Sequence, residues 1–159
     1  INLKPLKMTK DEDFIESFKI NTLGAINVIK LNQEILARNN GSILLYSTIA
    51  VKQGFTNHAI VSTAKGAIEG LTLSLAAEFA PKIRVNCIAP SLTNSKMTQK
   101  LISNETIKKA IENMHPLPKI GSGDDFSDIG SYLLSDKNNW ITGQIFHIDG
   151  GRSTLRIKS

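Results

Sequence analysis

The sequence predicts an α/β fold: a parallel sheet covered by helices on both faces. Two observations predict it. Periodic segments alternate in the order helix, strand, helix, strand, two helices, strand, an order that calls for right-handed crossovers between parallel strands. The strand segments are short and almost wholly apolar (Ile43, Leu44, Leu45; Val85, Cys87, Ile88), as strands buried on both faces are. The 159 residues are enough for one domain, and 41% hydrophobic with 21% charged residues is an ordinary globular balance.

Thr9-Lys10-Asp11-Glu12 reads as a capping box, a hydroxyl followed three residues on by an acid. Phe14, Ile15, Phe18, Leu23, Ile26, Ile29, Ile35 and Leu36 then keep helical spacing. The pattern predicts one long helix over 11–38, bent near Asn21 and Thr22. Asn39-Asn40-Gly41 ends it with residues that tolerate left-handed backbone. A buried strand follows over 43–46 and runs into Ser47-Thr48. Asn57 is placed to cap the next helix, whose apolar stripe is Ala64, Ala67, Ile68, Leu71, Leu75 and Phe79, with Pro81 closing it. Gly66 and Gly70 lie one turn apart and leave room for a close-packed neighbour.

A second strand covers 83–88. After Pro90 comes a loop rich in Ser, Thr and Asn, then a polar helix over about 105–114, broken by His115-Pro116-Leu117-Pro118. A short helix over 124–134 and a third strand over 144–148 complete the order. Asp149-Gly150-Gly151 turns the chain into a basic tail. The expected division is therefore one domain over 1–151 and a loose tail over 152–159. Three strands make a thin parallel sheet with an open apolar edge, a physical reason to expect more sheet in the complete protein.

Asn21, Gly41-Ser42-Ile43-Leu44-Leu45-Tyr46-Ser47-Thr48, Ala64-Lys65-Gly66-Ala67-Ile68-Glu69-Gly70-Leu71, Ile83-Arg84-Val85-Asn86-Cys87-Ile88-Ala89-Pro90, Ile141-Thr142-Gly143-Gln144 and Asp149-Gly150-Gly151 stand in one order along the chain. Together they resemble the C-terminal two-thirds of a short-chain dehydrogenase/reductase. The resemblance implies a Rossmann-like three-layer α/β/α fold and NAD or NADP as cofactor. The Gly-rich pyrophosphate turn of that fold, and the choice between NAD and NADP, would belong to a part ahead of residue 1.

The family's chemistry uses an Asn, a Ser, a Tyr and a Lys. Carried over by position, Asn21 matches the Asn, Thr48 the Ser and Lys65 the Lys. The Tyr position, 13 residues after Thr48 and four before Lys65, holds Val61. Valine has no ionisable proton, so the usual general acid–base group is missing. Thr48, water or His58 would then serve the oxygen; imidazole titrates near neutrality and seven residues place His58 toward the same helical face as Lys65, about 10 Å away, although it also reads as a loop or cap residue. Ser62 would point about 100° around the helix, and Tyr46 reads as packing. Pro90, Thr93 and Ser95 resemble the loop that meets the nicotinamide and phosphate, with Ser91 standing where the family has Gly. His115, His147 and Asp149 read as structural residues.

These expectations give an NAD(P)-dependent oxidoreductase acting on a small carbonyl or alcohol, with an altered acid–base group. The alternative is a catalytically silent relative that binds a nucleotide or a partner. The net charge of +5 is spread without a basic run or an aromatic-interleaved stripe, so neither nucleic acid nor membrane is an expected partner. A single cysteine, Cys87, forms no internal disulfide and has no zinc-type companions, which points to a cytoplasmic protein without a metal. Family resemblance implies a homodimer or homotetramer paired through the first two long helices.

Overall fold

A computed structural model describes residues 2–156. The first long helix forms in three parts: α1 (Asp11–Phe18), a π-helical turn (Lys19–Leu23) and α2 (Gly24–Arg38). The expected bend is thus a widened turn, with the Gly24 N–H reaching back five residues to the Lys19 carbonyl. Asn21 Nδ2 donates to the Ser17 carbonyl at 2.9 Å, the acceptor that a regular α-turn would assign to Asn21's own N–H. The start of α1 differs from the sequence reading. Lys10 is the N-cap, and its N–H is bonded by the Asp13 carboxylate at 2.9 Å. Thr9 instead donates its hydroxyl backwards to Leu6 at 2.7 Å, because a 3-10 turn (Leu6–Met8) precedes it.

Strands β1 (Ser42–Tyr46), β2 (Arg84–Pro90) and β3 (Ile145–Ile148) form a parallel sheet in the order β1-β2-β3, with Leu44 opposite Asn86 and Ile88 opposite Phe146. Helix α3 (Ala59–Phe79) crosses from β1 to β2. It begins after His58, not at Asn57, which takes a left-handed φ of 66° in the preceding turn. Beyond β2 lie α4 (Gln99–Ile102), α5 (Glu105–Glu112) and α6 (Asp124–Leu134). The four-residue α4 has no counterpart in the sequence reading, being too short to show periodicity.

Alternation along β1 sets the layers. Ile43 and Leu45 face α2 and α3, joining Ile29, Ile68, Phe79, Val85 and Cys87 in the main core. Ser42 and Leu44 face the other layer: Ser42 Oγ donates to the Leu133 carbonyl, and Leu44 Cδ2 lies 3.4 Å from where Gly130 of α6 would carry a Cβ. β2, central in the sheet, is buried from Val85 to Ala89. Its buried Asn86 ties down the approach to β3, donating to the Ile141 carbonyl at 2.9 Å and accepting from the Gln144 N–H at 3.1 Å. Among the described residues β1 pairs with no strand other than β2. No helix among the described residues is long and apolar enough to cross a membrane.

Candidate functional site

All three strands point their carboxyl ends to one edge, and the loops leaving them are bonded there. Ser47 N–H donates to Ile88 (2.8 Å), Ile49 N–H to Pro90 (3.1 Å) and Ser91 N–H to Ile148 (3.3 Å). Ligands of open α/β sheets bind outside such an edge.

Helix α3 delivers Lys65 to it. The ammonium donates to the Tyr46 carbonyl, the last residue of β1, at 2.9 Å. Burial pulls the Lys65 pKa below the ordinary lysine value, with Cys87 opposing. The turn that carries Asn21 is fixed alongside, since the buried Thr22 hydroxyl donates to the Ala64 carbonyl at 3.1 Å. Thr48 sits two residues past Tyr46, half-buried, its Oγ1 accepting from the Ala50 N–H at 3.3 Å. Ser47 turns the other way, toward α3, and donates to Glu69 Oε1 at 2.6 Å. The segments of Asn21, Thr48 and Lys65 are therefore tied together by side-chain bonds to main-chain carbonyls.

Val61 lies half-buried on α3, one turn before Lys65. The adjacent hydroxyl is not spare: Ser62 Oγ donates to the Ala50 carbonyl at 3.0 Å. Tyr46 is excluded from the site by direction, its ring standing edge-on to Phe126 of α6 with centroids 6.0 Å apart. His58 precedes the helix, so the helical spacing from Lys65 does not apply to it. Its Nδ1 bonds the Thr56 carbonyl at 2.7 Å. A carbonyl only accepts, so Nδ1 carries the proton and Nε2 is the basic nitrogen.

Pro90 ends β2, and Thr93 and Ser95 lie in the loop after it, where Thr93 Oγ1 donates to the Ser91 carbonyl at 3.1 Å and Ser95 Oγ lies 3.1 Å from Thr98 Oγ1. Asp149 is a turn residue, as expected. Burial raises its carboxyl, but bonds from Ser153 and Gly151 outweigh that and hold it below the ordinary value.

One placement, that of Arg152, corrects the sequence reading, and two others add to it. His115 has partners that the sequence did not show: it is buried, its Nδ1 bonds the Ile111 carbonyl at 2.8 Å, and its Nε2 lies 2.7 Å from Ser91 Oγ. Ser91 and His115 line a cavity of about 190 Å³ together with Thr93, Leu117, Phe126 and Asp149. Arg152, assigned to a loose tail, is packed at this edge with its guanidinium 4.6 Å above the Phe55 ring and Nη1 3.5 Å from Ser91 Oγ. Gly66 and Gly70 keep their side of α3 open: within this chain a Cβ on Gly66 would touch only Val51, at 3.8 Å, and Gly70 opens to space. Residues 157–159 of the expected tail lie outside the described residues.

The family model described as enoyl-(acyl carrier protein) reductase matches residues 2–153. The chain belongs to the short-chain dehydrogenase/reductase family. Similar curated relatives include hydroxynaphthalene reductase arp2 of Aspergillus fumigatus, 34% identical over 90% of this chain and 56% of its own length. L-xylulose reductase of Bos taurus is 32% identical over 94% of this chain and 62% of its own length. Among solved structures, ElxO with NADP bound superposes with a TM-score of 0.89 at 31% identity, covering 98% of this chain and 64% of that one. The chain thus spans a little over half the length of these curated short-chain dehydrogenase/reductase relatives, and its three-strand sheet is the matching part of their Rossmann-like fold.

Proposed function

We propose that the complete protein is an NAD(P)-dependent oxidoreductase of a small carbonyl or alcohol, in which groups other than a phenol at position 61 move the proton. The observation that carries this is the convergence of Lys65, Thr48 and the Asn21 turn on the carboxyl edge, in a member of an oxidoreductase family whose solved relative holds NADP.

The donor set fits the ribose end of a nicotinamide dinucleotide. Lys65 is a half-buried ammonium whose described partner is a single carbonyl. An ammonium has three donors, so two are available for ribose hydroxyls. Pro90, Thr93 and Ser95 would border the nicotinamide. When bound, the dinucleotide supplies or accepts the hydride. Thr48 would donate its hydroxyl to the substrate oxygen, since that oxygen gains negative charge during reduction. Asn21, its Nδ2 engaged with Ser17, would hold a water through Oδ1. His58 would exchange the proton through Nε2. A cytoplasmic setting and a homodimer or homotetramer belong to the same proposal; exposed Ile20, Val28, Leu31 and Ile35 support the second.

A second reading, a silent relative that binds a dinucleotide without turnover, is favoured by Val61 alone. Lys65→Met in the complete protein separates them. Under the oxidoreductase reading the wild type oxidises NAD(P)H with a panel of ketones and aldehydes, and the variant binds NAD(P)H about tenfold or more weakly and loses turnover. Under the silent reading the wild type binds but never turns over.

A further inference from the structure

We propose that the Arg152 guanidinium recognises a carboxylate on the substrate, so that the substrates are oxo or hydroxy acids rather than neutral carbonyl compounds. This rests on the oxidoreductase reading above and narrows its substrate class.

The guanidinium is half-buried, its direct contacts are neutral, and the Asp149 carboxylate acts on it without reaching ion-pair distance. Its described contacts are the Phe55 ring face at 4.6 Å, Ser91 Oγ at 3.5 Å and Met114 Sδ at 3.4 Å. Partly buried guanidinium groups are ordinarily paired with an anion, because desolvation of the charge is otherwise uncompensated. Among the described residues Arg152 forms no ion pair. The nearby carboxylates are already engaged. Asp149 accepts from the Gly151 and Ser153 N–H groups at 2.9 and 2.8 Å, and Asp125 is paired with Lys119 and capped by the Ser122 N–H.

The fork is also held in place. Stacking on Phe55, which belongs to the loop after β1, orients its plane. Ser91 belongs to the loop after β2, and its hydroxyl is itself fixed by His115, whose Nδ1 is anchored on Ile111. Since Nδ1 donates to that carbonyl, neutral His115 accepts from Ser91 at Nε2, which leaves lone pairs of Ser91 Oγ toward Arg152. The loops after β1 and β2 thus position at the carboxyl edge a cation that has no ion pair among the described residues, with only the more distant Asp149 to offset its charge. A planar guanidinium matches a carboxylate through two parallel N–H bonds.

An oxyanion here could also come from a phosphate of the dinucleotide, and the test separates the two. Malonate and NAD(P)H are titrated calorimetrically against the complete wild-type protein, Arg152→Met and Arg152→Lys. Methionine keeps unbranched bulk over Phe55, and lysine keeps the charge without the fork. Wild type binds malonate; Arg152→Met weakens it roughly tenfold to a hundredfold, Arg152→Lys less, and NAD(P)H affinity stays constant. In turnover the KM of oxo acids such as 3-oxobutanoate rises by the same factor, while kcat and the kinetics with butanone do not move. Equal malonate binding by wild type and Arg152→Met, or none by wild type, overturns the proposal. So does a loss of NAD(P)H affinity in the variant, which would assign the cation to the cofactor. Discrimination of malonate without turnover of any panel member leaves the carboxylate site standing and removes the oxidoreductase reading instead.

Discussion

Substituting Val61 by tyrosine in the complete protein installs a phenol one helical turn before Lys65. Positions four apart on a helix bring their Cβ atoms within about 5–6 Å, close enough for the ammonium to act on the phenol. Lys65 is free to respond, because its bond is to a main-chain carbonyl, Tyr46, and not to a carboxylate. An adjacent cation lowers an acid's pKa by about 1–3 units, which would bring a phenol from about 10 into the range of roughly 7–9. General acid–base catalysis by a well-placed group contributes about 10²- to 10⁴-fold. The assay is NAD(P)H oxidation with a matched ketone panel between pH 6 and 10, with Val61→Phe as the control for bulk. The expected result is a rate gain of about 10²-fold or more in Val61→Tyr only, with a new alkaline inflection that disappears when Lys65→Met is added. If Val61→Tyr and Val61→Phe share one rate and one pH profile, position 61 does not face the reacting oxygen and the assignment of Lys65 and Thr48 falls with it.

Two further predictions concern the fold. The Lys4 ammonium, foremost, and the Lys10 N–H hold the Asp13 carboxyl at about 2, against an ordinary 3.8. Between these values the unfolded chain binds more protons, so stability rises with pH; the advantage of wild type over Asp13→Asn should be complete above about pH 4 and vanish as pH falls toward 2, read by urea denaturation at each pH. Ile68 is 2% exposed in the core between α3 and the sheet. Ile68→Ala should cost about 2–5 kcal/mol, seen as a lower urea midpoint at unchanged slope.

What the sequence made legible was what repeats locally. Strands, crossover helices and the two-faced sheet follow from periodicity, and α6 begins and ends where the pattern does. The bend at Asn21 was legible as a bend, but a widened turn leaves the same residue spacing as other irregularities. Thr9 failed as a cap because the 3-10 turn before it offered the hydroxyl a nearer acceptor. The contacts that shape the edge were not legible at all. Ser91 meets His115 across 24 residues and Arg152 across 61, and no local pattern encodes such meetings. Ser91 was visible only as a departure from the family's glycine, and Arg152 as one more basic residue in a basic tail.

The frame of the site does not depend on the side chain at position 61, and the bonding explains why. Thr22 to Ala64, Ser62 to Ala50 and Lys65 to Tyr46 are all side-chain bonds to main-chain carbonyls. None involves the side chain of residue 61, so position and chemistry are separable here. What does constrain the chemistry is charge. Lys65 and Arg152 are two half-buried cations at one edge, both pulled down by burial, Arg152 against an opposing pull from Asp149, and neither forms an ion pair among the described residues. Holding two such charges out of water costs stability unless something polar meets them. A site retained only as scaffold would relax that cost, since methionine satisfies the same volume at either position. Two half-buried cations without an ion pair among the described residues are the physical argument for the polar, partly anionic ligands proposed at this edge.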